Sequence, residues 1–351
     1  MDSMRHDDTN SAAGRERVQK STDGSSRRVG HLVEVLPTRD GMEMVRIQGD
    51  RLTLDIVPEA GGKILQLIEN ASEFRLLWEN PRVPLQRTYA GAPFDDVWCG
   101  GWDDMFPTDP PCELDGNTYH DHGDLWIAPW SWSVEEDEPE QTTIHLSRFS
   151  VSLPCRVDRW ISLRKDGAQI SVRMRLTNLS SRPVRFMWNQ HIAHAIGPAS
   201  RIHMPVSRMG VSGPAPTLEN VDRVGWPLQD GVDLSCIPGP EVGGLEFLYA
   251  LDLRDGWCVV THPSRGIAVR ISFDKDVFRT PWLWKVFGGW RGHHVLLTEL
   301  CTSQPGSLAT AVANGSAATL AGGSSLETEV FITVTTSFDP NAPGDRDPFA
   351  V

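Results

Sequence analysis

The segment Ile170-Ser171-Val172-Arg173-Met174-Arg175-Leu176-Thr177 decides the fold class of this chain. Apolar and polar residues alternate in it without a break, which is the period of a β-strand with one buried face. The same alternation recurs in residues 184–188, 267–273 and 330–334. Turns rich in Gly, Asn and Asp separate such segments, and no segment predicts a helix longer than a couple of turns. The sequence therefore predicts an all-β protein, a large antiparallel β-sandwich with few short helices.

Local composition predicts one folded domain between two polar ends. Residues 1–28 are rich in Ser, Asp, Arg and Gly and contain almost no large apolar side chain, so we expect a disordered leader. Residues 338–351 have a similar character and predict a flexible tail. The domain is expected to occupy residues 30–337. Within it, residues 197–243 show little periodicity and predict a long excursion over the sheet that walls a cleft.

Charge and cysteine usage exclude several classes of partner. The formal net charge is -13 and no basic stripe occurs in the domain, which argues against nucleic acid and against an anionic membrane surface. No apolar run approaches the roughly 20 residues that span a bilayer. Six widely spaced cysteines without a C-x-x-C motif predict reduced thiols in a cytoplasmic protein. We expect a monomer or a homodimer.

A carboxylate on an apolar strand face is the first candidate catalytic group. Glu299 follows Val295 and Leu297 at period two and precedes Cys301. Burial raises the pKa of a carboxyl group and makes it useful as a base near neutral pH. The alternative is a salt-bridged glutamate at the end of a strand.

Two histidines are the candidate partners of that glutamate. His122 lies in a polar cluster that runs into Trp126, and His191 ends the segment Trp188-Asn189-Gln190-His191. An imidazole can donate a hydrogen bond to a sugar ring oxygen, and an imidazolium can protonate it. Two alternatives remain: a structural histidine at a strand end, or a metal site in which His120 and His122 share one side of a strand with a nearby Asp.

The substrate-binding candidates combine flat aromatic faces with hydrogen-bonding groups. The chain has 13 Trp against 3 Tyr, and an indole face suits a sugar face. Carboxylate and amide side chains bind sugar hydroxyls. The predicted set is Trp102, Asp103, Asp104, Asp124, Trp126, Asn189, Gln190, Glu246 and Trp284.

From about residue 44 to residue 335, the order and spacing of these motifs resemble the galactose mutarotase (aldose 1-epimerase) superfamily. Residues 52–64 are similar to the family's opening strand pair, His122-Gly123 to its His-Gly step, and residues 298–303 to its terminal signature. The resemblance implies a galactose mutarotase-like supersandwich and an isomerase that interconverts the anomers of a sugar. It implies Glu299 as the base, His191 as the acid and His122 as a contact of the ring oxygen. The implied reaction requires no cofactor and no metal.

The chain also departs from the family pattern, and two further functions stay open. Ile192 stands where the family usually has Pro, and the family's substrate-binding Arg has no clear counterpart near residues 100–104. Glu246 or Asp276 would replace the family's sugar-binding Asp. The alternatives are a non-catalytic carbohydrate-binding protein and a metal-dependent sugar isomerase or lyase.

Overall fold

A computed structural model describes residues 26–38, 40–212, 222–337 and 349 of the 351-residue chain. Two large antiparallel sheets contain most of the described strands, and their inner faces share one apolar core. The all-β sandwich expected from the sequence is therefore confirmed.

The larger sheet contains thirteen of the described strands, all antiparallel to their neighbours. Its spatial order is β1 (Arg27–Arg28), β2 (Val33–Pro37), β3 (Glu43–Gln48), β4 (Leu52–Val57), β5 (Lys63–Glu69), β7 (Trp102–Met105), β15 (Asn189–His194), β25 (His294–Cys301), β24 (Trp282–Phe287), β21 (Gly244–Ala250), β17 (Arg208–Val211) and β18 (Arg223–Gly225), with β6 (Phe74–Arg75) paired to β5.

The smaller sheet contains eight of the described strands. Its spatial order is β10 (Ser131–Glu138), β11 (Gln141–Phe149), β12 (Cys155–Arg164), β13 (Gln169–Asn178), β27 (Ser325–Thr335), β23 (Ile267–Phe273), β22 (Trp257–His262) and β16 (Arg201–His203).

The remaining described elements are short. The described α-helices are only four and six residues long, and none of the described helices has the length and apolar character needed to cross a membrane. The short pairs are β8 (Cys112–Leu114) with β9 (Asn117–Tyr119), β14 (Val184–Phe186) with β26 (Ala318–Leu320), and β19 (Leu228–Gln229) with β20 (Val232–Asp233); the helices are α1 (Phe94–Val97), α2 (Leu308–Ala313) and 3-10 turns at Pro240–Val242 and Pro263–Arg265.

The predicted leader, tail and segment 197–243 can each be compared with the structure. Residues 1–25 and nearly all of the tail, 338–351, lie outside the described residues. Arg27 and Arg28, within the predicted leader, form β1 because their backbone pairs with that of β2. The described parts of segment 197–243 contain β16 to β20, with β16 in the smaller sheet and β17 and β18 in the larger one. This segment therefore extends one edge of each sheet.

The alternating segment Ile170–Thr177 forms most of β13, at the centre of the smaller sheet. Val172 of β13 is buried and pairs with Ile161 on one side and Val330 on the other. These residues belong to one contiguous apolar core with Ile192 and Leu283 of the larger sheet. Because strand side chains alternate between faces, residues 191 and 299 of the larger sheet point away from this core.

A buried ion pair joins the two sheets through the core. Arg159 Nη1 of β12 lies 2.8 Å from Asp104 Oδ2 of β7, and both side chains are fully buried. Asp104 also accepts hydrogen bonds from the Trp188 indole, at 3.0 Å, and from the Gln190 amide. Gln190 in turn accepts one from the Trp102 indole at 2.9 Å. This polar network fixes the position of β15, which carries His191 on its opposite face.

Candidate active site

Strand register brings Glu299 and His191 together on the outer face of the larger sheet. His191 of β15 lies directly opposite Glu299 of β25 on one side and opposite Asp103 of β7 on the other. Side chains at directly opposed positions have Cβ atoms about 4.5–5.5 Å apart. Two groups far apart in sequence therefore become neighbours through antiparallel pairing alone.

Loops at one side of this face enclose a pocket of about 230 Å³. Helix α1 and the residues after it supply aromatic walls, and the loop that contains His122 supplies polar groups. The lining residues are Phe94, Asp95, Trp98, Asp109, His122, His191, Phe247, Trp284 and Glu299.

His122 enters the pocket from a tight turn. Its φ is 57° and that of Gly123 is 74°, both in the left-handed region. A Cβ atom on Gly123 would lie 1.8 Å from the carbonyl oxygen of Phe106, so only glycine fits there. Strand β9 ends at Tyr119, and His120 after it is exposed. His120 and His122 therefore do not share one side of a strand, which corrects that part of the sequence prediction.

Three carboxylates surround the His122 imidazole. Nδ1 lies 2.8 Å from Asp121 Oδ1, and Nε2 lies 3.5 Å from Asp109 Oδ1. The Phe94 ring stacks on the imidazole with 4.1 Å between centroids. Burial alone would lower the pKa of His122, but Asp109, then the hydrogen bond to Asp121, and finally Asp95 outweigh it and raise this pKa to about 9. His122 is therefore an imidazolium at neutral pH.

His191 has the opposite electrostatic character. Its side chain is 3% exposed, and Nδ1 has no hydrogen-bond partner among the described residues. Phe94 and Trp98 meet the ring edge-on at 5.3 Å. Burial, followed by the positive charges of His122 and Lys63, holds the pKa of His191 well below its usual value. His191 is therefore a neutral imidazole with one ring nitrogen available to a ligand.

Glu299 is buried and held by one hydrogen bond. The Asn189 amide donates to Oε2 at 2.6 Å. Burial, and then the negative charge of Asp109, raise the pKa of Glu299 to about 8. The carboxyl group is therefore a much stronger base when ionised than an exposed glutamate is.

Asp95 and Asp109 are functional candidates that the sequence did not indicate. Asp95 follows the first residue of α1, and Asp109 lies between Pro107-Thr108 and Pro110-Pro111. Burial raises the pKa of both carboxyl groups. Neither residue lies on an alternating strand, so no periodicity marks it as inward-facing. Their only sequence signal is that each is an Asp within a few residues of the segment Gly100–Asp104.

Four predicted residues lie at or behind the pocket. Trp284 lines it, and Asn189 holds Glu299. Trp126 supports the wall through an edge-to-face contact with Phe94 at 5.0 Å. Asp103 shares the sheet face of His191 but forms a buried ion pair with Lys63, so that charge is already neutralised.

The structure does not bring the other five predicted substrate-binding residues to the pocket. Trp102, Asp104 and Gln190 face the core because they alternate with the site residues along β7 and β15. Asp124 instead accepts from the Ser150 hydroxyl and from the backbone N–H groups of residues 151 and 152. Glu246 forms a buried ion pair with Lys285 on the inner face.

A second hollow, of about 440 Å³, lies away from these groups. Its described lining includes His203, Trp226, Trp257 and Arg254 but no carboxylate, so it lacks the pairing of a carboxyl group with imidazoles. Among the residues that the structure describes, no group of three or more His, Cys, Asp or Glu side chains is arranged to hold a metal ion.

Solved structures with this architecture were found, although no known family model and no curated protein sequence matches the chain. A proposed aldose 1-epimerase from Klebsiella pneumoniae superposes with a TM-score of 0.68 over 86% of this chain and 83% of that one, at 16% identity. This chain has the galactose mutarotase-like fold.

Two further structures with the mutarotase-like fold extend the comparison. A galactose mutarotase-like protein from Lactobacillus casei gives a TM-score of 0.58 at 14% identity, over 83% of this chain and all of that one. A proposed mutarotase from Salmonella typhimurium gives 0.63 at 10% identity, over 88% and 95%. The resemblance noted from the sequence motifs is therefore confirmed at the level of the fold.

Proposed function

We propose that this protein interconverts the anomers of an aldose by opening and closing the sugar ring. The observation that carries the proposal is the meeting of Glu299 and His191 on adjacent strands, with the His122 ring 6.0 Å from the His191 ring, in one pocket. Ring opening needs a base at the C1 hydroxyl and an acid at the ring oxygen. A carboxyl group and two imidazoles supply both, and the mutarotase-like neighbours support the same chemistry.

Glu299 is the base in this reaction. It removes the proton of the C1 hydroxyl while an imidazolium gives a proton to the ring oxygen, so the C1–oxygen bond breaks and an aldehyde forms. Rotation about the C1–C2 bond and reversal of both transfers then give the other anomer. Each group ends the first half in the state that the second half needs, which suits a reversible isomerisation.

The substrate is a neutral monosaccharide. A pocket of about 230 Å³ is smaller than the roughly 300 Å³ at which pockets for drug-sized ligands begin. None of its described lining residues is Arg or Lys, and the cationic His122 already faces the carboxylates of Asp109 and Asp121, so no free cation is left for a phosphate or a carboxylate. Arg279 and Arg291 are already engaged with backbone carbonyls and with Asp96. Phe94, Trp98 and Trp284 provide aromatic faces for the sugar.

Glu299→Gln tests the proposal. The glutamine keeps the shape and can still accept the Asn189 hydrogen bond, but it cannot take a proton. We expect NMR saturation exchange between anomers of glucose or galactose to be accelerated by the wild type and to fall at least a hundredfold in the variant. The panel includes hexose 6-phosphates and uronates, which we expect to be poor substrates.

Glu327→Gln is the matched control. Glu327 pairs with Arg175 on an exposed surface, so this variant should keep full activity. Full exchange in Glu299→Gln would exclude the proposed base. Sugar binding without exchange in the wild type would instead favour a non-catalytic carbohydrate-binding protein.

The six cysteines are all unpaired, which supports a reducing cytoplasmic location.

A further inference from the structure

We infer that His122, rather than His191, gives the proton to the ring oxygen, and that Asp109 is the positioning residue that keeps this proton on His122. The inference rests on the proposed function and reverses the roles that the sequence resemblance implies for the two histidines. It also assigns a role to Asp109, which no motif in the sequence indicates.

The geometry around His122 favours a doubly protonated ring. A neutral imidazole has one N–H donor, whereas both ring nitrogens of His122 face carboxylate oxygens, at 2.8 Å and 3.5 Å. The Phe94 backbone N–H donates to the other oxygen of Asp121 at 2.9 Å and fixes that carboxylate. The backbone N–H of His122 donates to the backbone carbonyl of Asp109 at 2.6 Å, which keeps the two residues side by side.

The Nε2 side is the one that can reach substrate. Nδ1 has a short hydrogen bond to Asp121, whereas the contact of Nε2 with Asp109 is long, and both residues of the second pair line the pocket. A sugar oxygen that approaches Nε2 replaces a weak contact. After the transfer, His122 is neutral. Its Nδ1 keeps its proton and still donates it in the hydrogen bond to Asp121, so the ring is held in one orientation throughout.

The surroundings of His191 favour its neutral form. Its ring is enclosed by Phe94 and Trp98, and no described carboxylate contacts Nδ1. The centroid of the cationic His122 ring is 6.0 Å away, and a second positive charge at that distance is unfavourable. A neutral His191 can donate or accept one hydrogen bond with a sugar hydroxyl. It therefore orients the substrate but does not supply the proton.

The transfers balance on this assignment. Glu299 takes the C1 hydroxyl proton, and the electron pair of that bond forms the carbonyl. The C1–ring oxygen bond breaks, and its electron pair takes the Nε2 proton of His122. Ring closure on the opposite face of C1 reverses both transfers and restores Glu299 and His122. No oxidant, reductant or further reactant is needed.

Asp109→Asn should shift both limbs of the pH profile. In the wild type, kcat/KM should rise with pH as Glu299 ionises near 8 and fall as His122 loses its proton near 9. Asp109 raises the pKa of both groups, so its neutralisation should move both limbs to lower pH. A purely structural role would lower the rate at every pH and leave the limbs in place. Asp115→Asn, outside the pocket, is the control and should leave the profile unchanged.

The two histidine variants separate the roles in catalysis. His122→Gln should lower kcat at least a hundredfold and abolish the alkaline limb. His191→Gln should keep that limb and act mainly on KM. The opposite pattern would overturn the inference while the proposed reaction stands.

Nitrogen NMR of the imidazoles in the full chain, assigned with these two variants, tests the charges without any substrate. His122 should carry both ring protons at pH 7, and His191 only one. An unprotonated His122 would overturn the inference on its own. Correct charges without anomer exchange on any sugar would instead reject the proposed function, and the inference with it.

Discussion

Arg159 and Asp104 are fully buried, so neither charge reaches water. Asp104→Asn removes the carboxylate and leaves the guanidinium of Arg159 buried and uncompensated. Breaking a buried ion pair in this way costs about 3–5 kcal/mol. We expect urea unfolding of Asp104→Asn to show a loss of this size in the free energy of unfolding.

The double variant Asp104→Leu with Arg159→Met isolates the ion pair from the loss of either charge. It should cost less than the sum of the two single changes, because no charge is left unpaired. Arg175→Gln breaks the exposed pair with Glu327 and should cost below about 1 kcal/mol. Equal losses in the free energy of unfolding for the buried and the exposed pair would show that Asp104 does not fix the position of β15.

The turn that presents His122 is the element on which the site depends. Gly123→Ala adds a Cβ atom that would lie 1.8 Å from the Phe106 carbonyl, so the turn must move. We expect a fall in anomer exchange comparable to that of His122→Gln, because the imidazole moves with the turn.

Gly116→Ala is the matched control for this turn. Gly116 has a similar φ of 76°, but a Cβ atom there meets no atom within 4 Å. It should cost only the roughly 1–2 kcal/mol of a left-handed alanine and leave exchange intact. Circular dichroism melts together with exchange rates distinguish the two cases. A Gly123→Ala protein with full exchange would show that the turn does not position His122.

At the scale of the whole molecule, alternation predicted the architecture and the faces of the strands. It identified β13 and the buried position of Glu299, because both follow from period two. It could not tell which of two opposite faces carries the site, so Asp104 and Gln190 were grouped with His191 although they point into the core. The roles of Asp95 and Asp109 depend on loop conformation, which leaves no periodic signal.

Buried histidines also give the whole fold a dependence on pH. His194 accepts or donates one hydrogen bond with the Thr298 hydroxyl at 2.8 Å, and burial lowers its pKa to about 3. In the unfolded chain the pKa of a histidine is about 6.5. Below that pH the unfolded state binds a proton at His194, whereas the native state does not. The stabilisation from a neutral His194 is therefore complete above pH 6.5 and is lost as the pH falls. Glu299 acts in the opposite sense, because its raised pKa lets the native state bind the extra proton between pH 4.5 and 8.

His194→Gln isolates this contribution from the rest of the titration. The variant should lose stability at pH 7, because packing around Thr298 changes, but its free energy of unfolding should depend less on pH below 6.5. The difference in slope should approach about 1.4 kcal/mol per pH unit, the value for one proton. Urea unfolding at pH 5, 6, 7 and 8 measures it, and the two curves should run parallel above pH 7. Parallel curves down to pH 5 would mean that His194 takes up its proton in the native state as easily as in the unfolded chain.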